Sequence, residues 1–253
     1  MAYDVVMTRS RRFVLYAVLA ALIAVGSGIT GCGGPAERIK ETSQSTQAPS
    51  PTPGERELSG VYAVSGAGTN GAEPYTGVLN ITPSGDVYGL RWQTNRGTRI
   101  GNAVQIGEAA AATYAGVGAG KGCGVILYRI ASDGSLDGRS VMWDESKFGT
   151  EKGIRTEGRN FPGKYEVTGT SPDGNTHSGQ LTITKDGEGY LFEWKLDKTR
   201  LGFGTQVGSY AAVSFGGRHC SFVLYRVMGS SGLEGTTGSQ ARVTFGTESA
   251  KRQ

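Results

Sequence analysis

The sequence predicts an all-β protein of two tandem small up-and-down antiparallel β-barrels, about eight strands each, behind a signal peptide and a disordered tether. Three observations carry that prediction. The stretch CGVILYR at Cys123 returns 97 positions later as CSFVLYR at Cys220. Apolar and polar residues alternate with period two through many short segments, as in a half-buried strand, and no segment carries a helical stripe. Finally, 42 Gly against 8 Pro in a chain 37% hydrophobic indicate turn-dense β-structure rather than disorder.

Read from the start, TRSRR precedes the apolar run FVLYAVLAALIAV, which is short for a bilayer span and has the length of a signal-peptide core. Ile29-Thr30-Gly31-Cys32 resembles the lipobox of bacterial lipoproteins. The resemblance implies diacylglycerol on the Cys32 sulfur, cleavage before it, and a mature chain held to the membrane by its acyl groups, each buried CH₂ contributing about 0.8 kcal/mol. Residues 1–31 are then the leader. Residues 32–58, rich in Pro, Ser, Thr, Gln and Glu, bury too little to offset their ordering entropy and read as a flexible tether. Gly33 and Gly34 follow the cysteine in place of Asp, which by resemblance to Gram-negative sorting signals favours the outer membrane.

Two copies follow, 59–158 and 159–253. GVYAVSG at Gly60 matches GKYEVTG at Gly163, TRIGNAVQIG at Thr98 matches TRLGFGTQVG at Thr199, and FGTE occurs at Phe148 and Phe245. An ancestral domain of about 95 residues is therefore duplicated, with length changes confined to loops. Within the copies Tyr88, Leu90 and Trp92, then Tyr190, Phe192 and Trp194, mark inward phases, as do Leu79 with Ile81 and Leu181 with Ile183. Turns such as PSGD and KDGE recur roughly every ten to twelve residues, too close for crossover helices, so neighbours pair antiparallel. Closure removes the exposed edges, and Gly101, Gly107, Gly202, Gly204 and Gly208 supply coiling in one matched strand.

In size and order each copy resembles a miniature of the calycin group, which includes lipocalins and avidins. Gly60-Val61-Tyr62 and Gly163-Lys164-Tyr165 stand where that group has Gly-x-Trp, and Arg155 and Arg252 stand where it has a late arginine packing across the aromatic. The same pattern resembles modules of undefined function in exported bacterial proteins, some of them labelled fibronectin-binding.

Charge excludes one class of partner. The chain has 26 basic and 22 acidic residues, and the leader removes three of the first and one of the second, leaving +2 without a basic run. Nucleic acid is not expected. Neither is catalysis, a metal or a cofactor: His177 and His219 flank polar, turn-like segments, and AGVGAGKGC departs from a phosphate loop at Ala115 and Gly122. The matched polar residues Arg99 and Arg200, Gln105 and Gln206, Arg129 and Arg226 are candidates for a binding rim. Cys123 and Cys220 are either buried thiols or one inter-repeat disulfide, which requires the barrels to meet near a pseudo-twofold axis. Their strand is apolar on both faces and is the candidate barrel-to-barrel contact. The expected function is a non-catalytic binding or interaction module of the bacterial envelope, held by its lipid anchor near a protein partner. The alternative is a small-molecule carrier with a pocket in or between the barrels.

Overall fold

The structure is a computed structural model and describes residues 55–68, 73–217, 219–239 and 242–253. The leader, Cys32 and the tether before Glu55 lie outside the described residues. The first copy forms β1 (Gly60–Ala67), β2 (Tyr75–Ser84), β3 (Val87–Thr94), β4 (Gly97–Ile106), β5 (Ala109–Gly116), β6 (Gly124–Ile130), β7 (Leu136–Met142) and β8 (Gly149–Glu157). The second forms β9 (Gly163–Thr170), β10 (Thr176–Asp186), β11 (Gly189–Lys195), β12 (Thr199–Val207), β13 (Tyr210–Phe215), β14 (Ser221–Val227), β15 (Gly232–Ser239) and β16 (Arg242–Arg252).

These strands close into two eight-stranded antiparallel barrels, but the barrels do not coincide with the copies 59–158 and 159–253. Strand β5 pairs with β14 instead of β6, and β13 pairs with β6 instead of β14. One barrel is therefore split in sequence, β1–β5 with β14–β16. The other is continuous, β6–β13, and is inserted between the halves of the first. Relative to a simple tandem, the copies have exchanged their last three strands. The exchange is possible because β6 and β14 descend from the same strand and present the same inward phase, so either one completes a five-stranded sheet.

The lumens are filled by the alternation expected from sequence. Tyr62, Leu79, Ile81, Tyr88, Leu90 and Trp92 are buried in the split barrel, and Tyr165, Leu181, Ile183, Phe192 and Trp194 in the inserted one. Gly101 and Gly204 permit the tight coiling, since a Cβ there would stand 2.0 Å from the Thr113 carbonyl oxygen and 2.2 Å from that of Ala212. Gly107 and Gly208 instead make hairpin turns, at φ values of 58° and 60°.

A third core lies between the barrels. Val125 and Leu127 of β6 face Phe222 and Leu224 of β14 there, with Val104, Ile106, Ala111 and Phe203 around them. Their neighbours Ile126, Tyr128, Val223 and Tyr225 turn into the two lumens, so the doubly apolar strand serves both barrel interior and barrel contact. Each large side chain buried here contributes about 1.5–3 kcal/mol. Arg139 of β7 clamps the same contact. Its Nη1 donates to the Gln105 carbonyl at 2.6 Å and to the Glu55 carboxylate at 2.8 Å, and its guanidinium lies over the Phe148 ring. The two crossings between barrels are stapled by a buried Cys123–Cys220 disulfide with a Cα–Cα distance of 5.4 Å.

The last residues of the expected tether are part of the fold. Leu58 is buried beneath the split barrel and its carbonyl accepts the Tyr62 hydroxyl at 2.7 Å. Phe161 plugs the inserted barrel in the same way, accepting from Tyr165 at 2.6 Å. An apolar side chain and an ion pair outweigh the polar composition of the segment, so order begins by Glu55 rather than at 59.

Candidate functional site

Among the described residues, each barrel buries one glutamate inside its lumen, and both come from the repeated FGTE. In β8, Gly149, Glu151 and Gly153 share the inward phase while Thr150 and Lys152 face out, which places Glu151 in the inserted lumen. Its Oε1 accepts the Tyr128 hydroxyl and the Trp194 indole N–H at 3.0 Å, and its Oε2 lies 3.1 Å from His177 Nε2. In the split barrel Glu248 of β16 accepts from Tyr225, from the Trp92 indole at 3.1 Å and from the Tyr75 hydroxyl at 2.5 Å. Charge-assisted bonds of this kind contribute about 1.5–3 kcal/mol each and offset the cost of burying a carboxylate. Because of the strand exchange, each hub takes its Trp from one copy and its Glu, with the matched Tyr128 or Tyr225, from the other.

The tyrosines respond to their surroundings. Burial, reinforced by the neighbouring glutamate, holds the hydroxyls of Tyr128 and Tyr225 protonated well above the usual tyrosine range. Burial likewise pushes Tyr114 up to about 12, with Arg99 opposing it.

Matched hubs have unmatched mouths. In the split barrel the Trp92 and Tyr114 rings pack at 5.2 Å between centroids, and the Arg99 guanidinium covers Tyr114 at 5.5 Å. Together with the Tyr75 ring they reduce the space above Glu248 to about 20 Å³. In the inserted barrel, the shorter His177 replaces Tyr75, Phe215 replaces Tyr114, and Arg200 stands at the opening. A cavity of about 280 Å³ opens there and reaches Glu151, His177 and Trp194. The split barrel shapes its rim: Asn102 Nδ2 donates to the Glu145 carbonyl at 2.6 Å, and Asp86 N–H to the Ser146 carbonyl at 2.8 Å.

The six expected rim residues do not form one rim. Arg99 and Arg200 stand at the two mouths. Gln105 and Gln206 lie toward the other ends of β4 and β12, where their amides donate to Gly107 and Gly208 carbonyls at 3.0 Å and pin the turns. Arg129 faces outward and pairs with Asp137 at 3.2 Å. Arg226 also faces outward, along a groove of about 970 Å³ between the split barrel and the Val207–Tyr210 turn. Position in the repeat is shared by such pairs, but strand phase and height decide what they reach.

His177 is not a solvated loop residue. It sits on β10, half-buried, in the Glu151 hub. His219 is exposed beside Cys220, and the two sulfurs within its reach are bonded to each other. The glutamates and tyrosines of the hubs are the residues missed from sequence. Their signal is an acid on the inward phase of a strand, repeated in both copies. No protein-family model, curated protein or solved structure matches the chain.

Proposed function

We propose that the protein is a lipid-anchored, non-catalytic binding module of the bacterial cell envelope, in which the inserted barrel holds a small ligand and the split barrel is its scaffold. The observation that carries this reading is the contrast of about 280 Å³ against about 20 Å³ above otherwise equivalent hubs. Concave, largely preformed pockets with a few placed polar groups are the usual form of small-molecule sites. The resemblance to calycins favours the same reading: Arg252 covers the Tyr62 ring at 5.0 Å, as the late arginine of that group covers its tryptophan. The non-catalytic character rests on Glu151, both of whose oxygens are engaged by side chains of the protein itself. Turnover abolished by Glu151→Gln in a folded protein would overturn it.

The address rests on the lipobox alone, and outer-membrane placement on Gly33 and Gly34 in a Gram-negative host. Cys32→Ala is expected to release the chain from membranes; normal lipid labelling of that variant would refute the anchor. The groove between the barrels favours a second reading, docking of an envelope or extracellular protein. Native mass spectrometry before and after denaturation separates the two. A small molecule released on unfolding supports the carrier, whereas a bare mass together with a crosslinked envelope protein mapping to the groove supports docking.

A further inference from the structure

Resting on the reading of the inserted barrel as a binding barrel, we infer that its cavity takes a small organic cation, an ammonium group carried on an apolar or aromatic body. The charge of the walls is the first argument. Glu145, Glu151, Asp173 and Asp197 line the cavity against Arg200 and His177. That excess of negative charge is absent from the lining of the matching mouth in the split barrel. The position matching Glu145 is Arg242 and the one matching Asp197 is Asn95, while the split mouth sets Arg96 and Arg99 beside Glu248. At the split mouth Arg96 also pairs with Glu73 at 3.8 Å, so two cations face two carboxylates there, and two mouths that began alike have diverged in charge.

The second argument is an unmet acceptor. Glu145 Oε2 is buried and has no hydrogen-bond partner among the described residues. Burial, with Asp144 and Asp173 adding to it, raises the pKa of this carboxyl. A cationic donor would satisfy that oxygen and relieve the repulsion together. The third argument is the apolar wall. Trp194 and Phe215, with ring centroids 6.4 Å apart, flank the cavity beside Leu196 and Ile126, and aromatic faces attract cations. The volume of about 280 Å³ falls just below the ~300–1,000 Å³ typical of drug-sized sites, so the ligand is small.

Three probes of one shape and different charge test the inference on the full chain: phenethylammonium, 2-phenylethanol and phenylacetate. Calorimetry would follow affinity, and the Trp194 indole resonance would report occupancy. Phenethylammonium is expected to shift that resonance, to bind at least about tenfold tighter than the alcohol, and to weaken as salt is added. Asp197→Asn, at an exposed position, and Asp173→Asn, which keeps the Oδ1 that accepts the Asn175 N–H at 3.1 Å, should each lower its affinity several-fold and leave that of the alcohol unchanged. If the alcohol or phenylacetate fills the cavity as well or better, the charge inference falls and the binding reading stands. If none of the three moves the Trp194 resonance, both fall.

Discussion

The split and inserted barrels share a strand count, a plug, a clamp on the first tyrosine's hydroxyl and a buried glutamate held by Trp and Tyr. They differ in what covers that glutamate. In the split barrel Tyr75, Tyr114 and Arg99 cover Glu248, whereas the smaller His177 and Phe215 leave Glu151 at the floor of a cavity that Arg200 also lines. The contrast teaches that a duplicated fold keeps its interior framework because that framework closes the barrel. The mouth, which contributes little to closure, is free to diverge.

The largest effect that should break the comparison concerns the staple. The Cys123–Cys220 bridge spans 97 residues and closes a loop around the whole inserted barrel, for which chain entropy gives up to about 4–5 kcal/mol. With the bridge intact, the two pieces of the split barrel stay close even when the inserted barrel opens. In Cys123→Ser/Cys220→Ser, urea unfolding followed at Trp92 and Trp194 should merge into one earlier transition; unchanged midpoints would contradict this role.

Next in size are the lumen tryptophans. Trp92→Ala and Trp194→Ala each delete a large buried ring and should cost about 3–5 kcal/mol in calorimetric melts. An unchanged melt for either would reject its place in the core.

A smaller and sharper effect separates the hubs. Glu248→Gln should cost about 2–3 kcal/mol, because the mouth above it leaves only about 20 Å³ for water to serve the orphaned donors. Glu151→Gln should cost nearer ~1 kcal/mol, since water entering the cavity can take over. Equal losses would mean that the two interiors are equally closed. Smallest near neutral pH is the tyrosine linkage. Tyr114 is held up to about 12 against an ordinary 10.0, so the unfolded chain releases its proton first. Its stabilising contribution is full below about pH 10 and is lost as pH rises toward about 12. Melting temperature should fall through that window, with tyrosinate absorbance appearing together with unfolding rather than before it.

Much of this architecture is legible in the residues. The alternation in β3 and β11, the turns between strands and the matched motifs specify two closed barrels, and the doubly apolar β6 and β14 mark where they meet. The exchange of strands is not legible. CGVILYR and CSFVLYR offer equivalent inward side chains, Ile126 and Tyr128 against Val223 and Tyr225, so by pattern β5 closes equally well on either. With the partner of β5 unspecified, the bridge between Cys123 and Cys220 stays open between two readings, although the exchange itself brings those crossings together. His177 misleads because it follows the polar, turn-like SPDGNT, and only its alignment with Tyr75 assigns it to a lumen. Glu151 and Glu248 are readable by strand phase. The cavity is not, since its volume depends on how Trp92, Tyr114 and Arg99 pack together over the other hub.

The central claim is that equivalent, equally buried hubs lie beneath mouths of different size, about 20 Å³ in one barrel and about 280 Å³ in the other. Hydrogen exchange of the two indole N–H groups tests it without a ligand, because Trp92 and Trp194 each donate to a buried glutamate at 3.1 and 3.0 Å. The account predicts that the Trp194 indole exchanges at least about tenfold faster than that of Trp92 under native conditions, through water in the cavity. Equal rates, or a slower Trp194, would contradict it.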